Sequence, residues 1–332
     1  MSDSRRVIVS HLPEGRLDAS DFTIESVPVP EPSPGKVVVE VSAITIGAGQ
    51  RAGLQGSASY AGAPTSGVLM GGTGLGTVIA SGSDDIAVGS KVMGATGWQE
   101  HALLSAAEVR VIRSDLDDAL HLGVLGTNGL TAYFGLLSMG DPQPDSTVVV
   151  SAAAGSVGHI VGQLAQIRGC RVVGVAGSDQ KCRLLVGELG FDAAVNRRAD
   201  DFRDQFKAAT PDRIGVYFDN TGGAILGSAL FRMATHGRIV CCGAVSAYDT
   251  ASPDPSPRGI PGLLVNNRIR MEGFLVFDFA HRYDEARAEL AGWVESGQLR
   301  PRHIEFDGIE SAPGAFVELL AGHTVGTTIV RF

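Results

Sequence analysis

The chain has 332 residues, a formal net charge of −9 and 44 glycines, and 44% of its residues are hydrophobic against 19% charged. This composition is typical of a globular protein of about two domains and excludes a disordered chain. The acidic balance argues against nucleic-acid and membrane partners, which attract basic surfaces. The sequence starts without the apolar stretch of a signal peptide, and no apolar run approaches the roughly 18 residues of a membrane span, so we expect a cytoplasmic protein.

The first 120 residues are rich in strand patterns. Residues 35–46 form an apolar, β-branched run, and residues 71–82 and 84–94 combine short strands with glycine turns. A proline-punctuated connector occupies residues 28–35. These patterns predict a compact, barrel-like domain with long loops. We expect loops around residues 47–70 and 248–262 to line a substrate pocket.

From residue 122 the pattern becomes an alternation of strands and helices. Helical spacing over 122–140 precedes strand patterns at 146–152, 170–177, 193–198, 213–223 and 237–246. Helices are predicted from Ser156 and over 179–190, and the proline-rich segment 248–262 is predicted to be an ordered surface loop. Such alternation favours an α/β fold, a doubly wound parallel sheet covered by helices on both faces.

A glycine-containing turn follows the first of these strands. Residues 153–158 read AAGSVG, which is close to the dinucleotide fingerprint G-x-G-x-x-G with Ala153 at the first glycine position. Gly155 would let the backbone approach a pyrophosphate, and Gly158 would let helix and strand pack closely. An ordinary strand–helix turn is the alternative. The preceding strand, the following helix and the further βα units favour the dinucleotide interpretation.

Cationic residues further along the chain indicate which dinucleotide would bind. An NAD site usually carries an acidic residue at the tip of the second strand, whereas this tip reads Ala-Gly-Ser and Asp179 comes late enough to cap the next helix. Lys181, Arg197 and Arg198 follow, and such cations suit the 2′-phosphate of NADPH. The alternative is that they are solvated charges on an exposed turn.

Cysteine and histidine spacings argue against a metal site. The four cysteines are Cys170, Cys182, Cys241 and Cys242. Because none precedes residue 170 and no CxxC or HExxH pattern is present, we expect no metal and exclude a Cys-ligated catalytic zinc in the first domain. The vicinal Cys241–Cys242 pair is either a redox pair or two small apolar side chains packed in the core, and the second interpretation is favoured. His101 and His159 are interpreted as structural, at a strand end and a helix start.

Seven segments resemble the zinc-free medium-chain dehydrogenase/reductases, and more narrowly the leukotriene B4 dehydrogenase/prostaglandin reductase family. They are GLTAYFGLL, AAAGSVG, GSDQK, YFDNTGG, GRIVCCGAVSAY, RMEGF and GTTIVRF. The resemblance implies a GroES-like catalytic domain over 1–122 and 300–332 and a Rossmann NADPH-binding domain over 123–299. It also implies a homodimer that reduces the C=C bond of α,β-unsaturated aldehydes and ketones with NADPH.

The resemblance assigns site residues position by position. Those implied to bind the cofactor are Gly155, Ser156, Val157, Gly158, Lys181, Arg197, Asn220, Cys242, Gly243, Tyr248, Phe274, Leu275, Val276 and Thr324. Tyr248 and Arg51 are the implied catalytic residues. The chain departs from the family at Gly49, where many relatives have a tyrosine, at Thr324, where they have asparagine, and at Thr327, where they have lysine. The missing tyrosine at Gly49 implies a wider or differently lined pocket.

The implied reaction delivers hydride from NADPH to the substrate β-carbon while negative charge develops on the carbonyl oxygen. A preorganised donor aimed at that oxygen lowers the barrier, and Tyr248 is the candidate donor. The alternative for Tyr248 is a loop aromatic that packs on the cofactor. Two alternative functions stay open: an NADPH quinone oxidoreductase of the same superfamily, and an NADPH-binding protein without catalytic activity.

Overall fold

The computed structural model describes residues 3–58, 62–113, 116–252 and 257–332, and the chain divides into two compact units. The first unit comprises Met1–Leu122 and His303–Phe332, and the second comprises Gly123–Arg302. The tips of both predicted pocket loops, at 59–61 and 253–256, lie outside the described residues. Within the described ranges, none of the helices is both long and apolar enough to cross a membrane.

The described residues of the first unit form ten strands and three α-helices. Its strands are β1 Asp3–Val9, β2 Phe22–Pro28, β3 Lys36–Ile46, β4 Val68–Leu69, β5 Gly74–Ser81, β6 Lys91–Gly94, β7 His101–Ser105, β8 Arg110–Val111, β15 His303–Asp307 and β16 Thr327–Arg331. Its helices are α1 Ala48–Leu54, α2 Asp118–Leu122 and α10 Ala312–Ala321. The larger sheet has the order β15-β16-β3-β5-β6-β8 with β7 also on β3, and a smaller sheet has the order β2-β1-β4.

Branched aliphatic and aromatic side chains form the core of this first unit. The inward positions of β3, which include Val37, Val39 and Ile44, are fully buried, as the β-branched run predicts. The Trp98 ring stacks on Phe22 with centroids 5.7 Å apart and meets Phe316 of α10 edge-on, also at 5.7 Å. The segment returning from residue 303 therefore completes the core of the N-terminal unit.

The second unit is a parallel sheet with helices between its strands. The strands are β9 Thr147–Val150, β10 Arg171–Ala176, β11 Ala193–Asn196, β12 Ile214–Asp219, β13 Met233–Cys241 and β14 Arg270–Gly273. Their order is β11-β10-β9-β12-β13-β14, and every neighbouring pair is parallel. This is the doubly wound order, whose direction reverses between β9 and β12, and ligands of such sheets bind at that reversal beyond the carboxyl ends of the strands.

Helices of the second unit follow the predicted pattern with shifted ends. They are α3 Thr127–Tyr133, α4 Gly158–Ile167, α5 Asp179–Gly187, α6 Phe202–Ala209, α7 Gly223–Arg232, α8 Ile260–Asn267 and α9 Tyr283–Glu295. The predicted helix at 122–140 contains α3 and continues as a π-helix over Phe134–Gly140. The helix predicted from Ser156 begins at Gly158 instead, because residues 151–157 form a turn. The segment predicted as a loop at 248–262 ends in α8, which has proline in its first turn.

Candidate active site

The glycine turn between β9 and α4 is as tight as its sequence predicts. A Cβ at Gly158 would lie 2.4 Å from the Ala152 carbonyl oxygen and 2.8 Å from the Ala153 Cα. A Cβ at Gly155 would meet only the Ala152 oxygen, at 3.2 Å. Gly158 therefore allows the first turn of α4 to pack against the backbone that leaves β9, which is the role of the third glycine in the dinucleotide fingerprint.

Ala153 takes the place of the first fingerprint glycine because the neighbouring strand makes room for it. Ala153 is fully buried, and its Cβ lies 3.0 Å from the position that a Cβ of Gly174 would occupy. The missing glycine of the turn is thus compensated by a glycine in the middle of β10.

His159, interpreted from the sequence as a helix-start residue, joins the turn to the end of the second unit. Its Nδ1 lies 2.7 Å from the Gly155 carbonyl oxygen, and its Nε2 accepts a hydrogen bond from the Arg302 backbone N–H at 3.0 Å. Burial lowers the pKa of His159 to about 4, so the imidazole is neutral and Nδ1 is its donor. In the sequence, only its position directly after the third fingerprint glycine indicated that His159 belongs to the glycine turn.

The predicted cations converge beyond the carboxyl ends of β10 and β11. Burial first, and then the charges of Arg198 and Arg197, lower the pKa of Lys181. The Arg197 guanidinium passes Gly177, where its Nε lies 3.8 Å from the position of a Cβ. The positive charges of Lys181, Arg197 and Arg198 act on one another and repel. A bound anion would therefore stabilise this cluster of cations. The structure thus gathers Lys181, Arg197 and Arg198 at the tip of the second strand.

The expected helix cap at Asp179 is wrong, because Ser178 fills that position. The Ser178 hydroxyl accepts from the Lys181 backbone N–H at 3.3 Å, so Ser178 is the N-cap of α5 and Asp179 is its first helical residue. The Asp179 carboxylate instead accepts a hydrogen bond from Asn196 Nδ2 at 2.8 Å. Because the Ser178 hydroxyl caps the helix, the Asp179 carboxylate is available for the contact with Asn196.

A buried carboxylate organises the point where the strand order reverses. Asp219 Oδ1 accepts from Tyr217 Oη at 3.0 Å, from Ser151 Oγ at 3.1 Å and from the Gly222 N–H at 2.9 Å. Asn220 donates from Nδ2 to the Ser151 carbonyl at 2.7 Å. The end of β12 is thereby tied to the first residue after β9. The sequence resemblance put Asn220 near the cofactor, and in this structure its amide holds the start of the glycine turn.

The loop that follows β13 is fastened to the same point. The backbone N–H groups of Cys242 and Gly243 donate to the Asp219 carbonyl at 2.9 and 3.1 Å. Tyr248 folds back along this loop, and its hydroxyl oxygen accepts from the Ala244 N–H at 3.3 Å. A phenol that accepts a backbone hydrogen bond keeps its own proton for donation to another group.

The vicinal cysteines are weakly acidic thiols. Burial, followed by the charge of Asp219, raises the pKa of Cys241 to about 11 and that of Cys242 to about 12. Thiols with such pKa values stay protonated near neutral pH and are poor nucleophiles. This fits the interpretation of the pair as small apolar side chains packed in the core.

The predicted nicotinamide-flanking segment follows β14. The Phe274 ring packs on the π-helix, where its Cζ lies 2.6 Å from the position of a Cβ on Gly135. Tyr283 Oη donates to the Val276 carbonyl at 3.0 Å, and Leu275 between them is exposed. Val276 itself is buried. This segment is therefore anchored at both ends and presents Leu275 outward.

The remaining predicted residues belong to the first unit. Arg51 in α1 is only 1% exposed, and its Nη2 donates to the Gly15 carbonyl at 2.5 Å and to that of Pro13 at 3.5 Å. The stretch predicted as a loop from residue 47 thus contains a short helix, which includes Gly49. Thr324, in the segment of chain that connects α10 to β16, is buried.

Metal-binding side chains do not cluster in the part of the chain that the structure describes. Across residues 3–58, 62–113, 116–252 and 257–332, no group of three or more His, Cys, Asp or Glu side chains could hold a metal ion.

The sheet order, the glycine turn and the cations beyond β10 together define a Rossmann-type dinucleotide-binding unit combined with a β-rich unit. Residues 5–112 match the family described as the N-terminal domain of oxidoreductase, and residues 156–292 match the family described as zinc-binding dehydrogenase. The chain belongs to the medium-chain dehydrogenase/reductase family, in the group that contains prostaglandin, 2-alkenal and curcumin reductases. This confirms the predicted family and fold class.

Three comparisons show how close this likeness is. The chain is 36% identical to the NADPH-dependent curcumin reductase of Escherichia coli, over 99% of this chain and 96% of the relative. It is 35% identical to the NADP(+)-dependent 2-alkenal reductase of Nicotiana tabacum, over 98% and 97%. The crystal structure of CurA from Vibrio vulnificus in complex with NADPH superposes with a TM-score of 0.93 at 33% identity, over 98% of both chains.

Proposed function

We propose that this protein is an NADPH-dependent reductase that saturates the C=C bond of α,β-unsaturated aldehydes and ketones. The observation that carries the proposal is the cluster of Lys181, Arg197 and Arg198 beside a fingerprint glycine turn. It fits a dinucleotide with an additional phosphate on its ribose. The relatives named as NADPH-dependent curcumin reductase and 2-alkenal reductase support both the cofactor and the reaction.

Several segments of the second unit have a proposed role toward the cofactor. Gly155, Ser156, Val157 and Gly158 would hold the pyrophosphate at the N-terminus of α4. Lys181, Arg197 and Arg198 would hold the 2′-phosphate. Asn220, Cys242, Gly243, Phe274, Leu275 and Val276 would line the nicotinamide half, and Thr324 stays a proposed cofactor-binding residue. When bound, NADPH supplies the hydride that adds to the substrate β-carbon.

Tyr248 is the proposed donor to the carbonyl oxygen of the substrate. Because its oxygen accepts from the Ala244 N–H, the hydroxyl can donate its own proton to another group. A fixed donor at that oxygen stabilises the negative charge that develops there during reduction. For Arg51, buried and bonded to the Gly15 and Pro13 carbonyls, we propose a positioning role on the loop at residues 13–15, not direct contact with the reacting atoms.

Two broader properties belong to the same proposal. The proposed reaction needs no zinc: no cysteine precedes residue 170, although the family that matches residues 156–292 is described as zinc-binding dehydrogenase. The protein resides in the cytoplasm, where its four free cysteines would stay reduced.

A homodimer is also proposed. Among the described residues, β14 is last in the sheet order, and helices α7 and α8, which pack on each other, leave Phe231 68% and Val265 73% exposed. An open strand edge beside apolar side chains suits pairing with a second copy about a twofold axis.

The test of the function is a turnover assay with purified protein, in parallel with a chelator-treated sample. We expect oxidation of NADPH by conjugated enals or enones, formation of the saturated carbonyl product and equal rates after chelation. Faster turnover of quinones than of any enone would identify a quinone reductase instead. Tight NADPH binding without turnover of any acceptor would favour the non-catalytic alternative.

A further inference from the structure

One carboxylate lies next to the cation cluster. Asp179 begins α5 one residue after the Ser178 cap and two residues before Lys181. A carboxylate in this region normally selects NAD, because it accepts from the ribose 2′-hydroxyl and repels a 2′-phosphate. A chain that uses the cations for a phosphate therefore needs to keep this carboxylate away from it.

Asn196, the last residue of β11, holds that carboxylate. Its Nδ2 donates to Asp179 Oδ1 at 2.8 Å, and its Oδ1 accepts from the Arg198 backbone N–H at 3.0 Å. The next residue, Arg197, is fixed as well, since its N–H donates to the Ala176 carbonyl at 2.9 Å. One neutral side chain thus joins the first turn of α5 to the segment that carries both arginines.

We propose that Asn196 is a positioning residue for cofactor selectivity, which favours a 2′-phosphorylated adenosine by tethering the Asp179 carboxylate to the end of β11. The inference rests on the proposed NADPH site and adds to it a residue that need not touch the cofactor. An amide suits this task because it binds the carboxylate without using a cation of the cluster. Loss of the tether would free Asp179 to rotate toward the bound phosphate, where like charges repel.

The test measures binding of two small probes by calorimetry, adenosine 2′,5′-bisphosphate and adenosine 5′-monophosphate, to the full chain. The ratio of the two Kd values reports selectivity at the 2′ position without involving turnover. We expect Asn196→Ala to lower the preference for the bisphosphate about tenfold, equivalent to about 1.4 kcal/mol. The double variant Asn196→Ala/Asp179→Asn should return the ratio to within about twofold of wild type, because the repelling charge is gone.

A matched control exists in the same unit. Gln205 on α6 donates from Nε2 to the carboxylate of Asp201, the N-cap residue of that helix, at 2.7 Å. Gln205→Ala therefore also removes an amide–carboxylate contact and should leave the ratio unchanged. If Asn196→Ala does not fold, Asn196→Asp replaces it. That variant keeps an acceptor for the Arg198 N–H but loses the donor to Asp179, and we expect at least the same loss of preference.

The outcomes separate this inference from the proposed function. A wild type that prefers the bisphosphate, with a ratio unchanged in the Asn196 variants or not restored by Asp179→Asn, would overturn the role of Asn196 and leave the NADPH site standing. Equal binding of both probes by the wild type would overturn the 2′-phosphate site, and the inference with it.

Discussion

Single residues in the glycine turn differ in how strictly they are required. Gly158 faces backbone atoms at distances that no Cβ tolerates, whereas Gly155 faces one oxygen at 3.2 Å. We predict that Gly158→Ala lowers the free energy of unfolding by about 3 kcal/mol and weakens NADPH binding, because α4 must move away from β9. Thermal and chemical unfolding together with titration of the cofactor measure both effects.

The matched control for Gly158 is Gly292 on α9, where a Cβ would meet nothing within 4 Å. Gly292→Ala should stabilise the protein by about 0.5–1 kcal/mol, since alanine favours the helix. Equal stability of the Gly158→Ala variant and the wild type would show that the turn has room that the structure does not indicate.

Tyr248 is the residue whose role is chemical. We predict that Tyr248→Phe lowers kcat about 100-fold while the Kd for NADPH changes less than about twofold, because the ring remains and only the donor is lost. Steady-state kinetics with one enone and an independent binding titration give the two quantities. A variant with normal kcat but weakened NADPH binding would instead support an aromatic that packs on the cofactor.

Among the elements, helix α4 links the glycine turn to the last residues of the second unit. His159 bonds Gly155 and Arg302, and Gln163 donates to the Arg300 carbonyl at 3.3 Å and accepts from its N–H at 2.8 Å. Both side chains are buried, and these contacts satisfy their hydrogen-bonding groups, as burial requires. The helix therefore holds the turn and the end of the unit in one hydrogen-bonded arrangement.

This arrangement predicts how stability depends on pH. Burial holds the pKa of His159 at about 4, below its ordinary 6.5, so the unfolded chain binds a proton between these values when the folded protein does not. The stability from neutral His159 is complete above pH 6.5 and falls as the pH drops toward 4, by about 3 kcal/mol in total. We predict that His159→Gln flattens this part of the stability curve, as measured by urea unfolding at several pH values.

The exposed His323, which pairs with Glu318, provides the control for that measurement. His323→Gln should leave the slope between pH 6.5 and 4 close to that of the wild type. An unchanged slope in the His159→Gln variant would mean that the buried imidazole does not govern acid stability.

The elements also show what the sequence could and could not predict. Apolar periodicity predicted the parallel strands, and the spacing of the glycines predicted the turn, because both signals lie in short local stretches of sequence. The Ser178 cap, the π-helix at 134–140 and the first turn of α8 depend on hydrogen bonds and packing that periodicity does not encode. The contact between Ser151 and Asp219 joins residues 68 positions apart, so only the folded sheet shows it.

At the scale of the whole molecule, the proposed dimer makes a separate prediction. Charge at Val265, which is 73% exposed on α8, should disfavour an apolar interface there while leaving the fold of the subunit intact. We predict that Val265→Asp shifts the mass measured by light scattering from a dimer to a monomer. The same change at Val88, exposed in the first unit, should leave the mass unchanged. A wild type that is monomeric at micromolar concentration would contradict the proposal.

The central claim is that the cations beyond β10 bind the 2′-phosphate of NADPH for reduction of a conjugated C=C bond. Its most direct test is Lys181→Ala, with Kd values for NADPH and NADH measured on both variant and wild type. We predict about tenfold or greater loss of affinity for NADPH and less than about twofold change for NADH. Equal losses for the two cofactors would contradict the assignment.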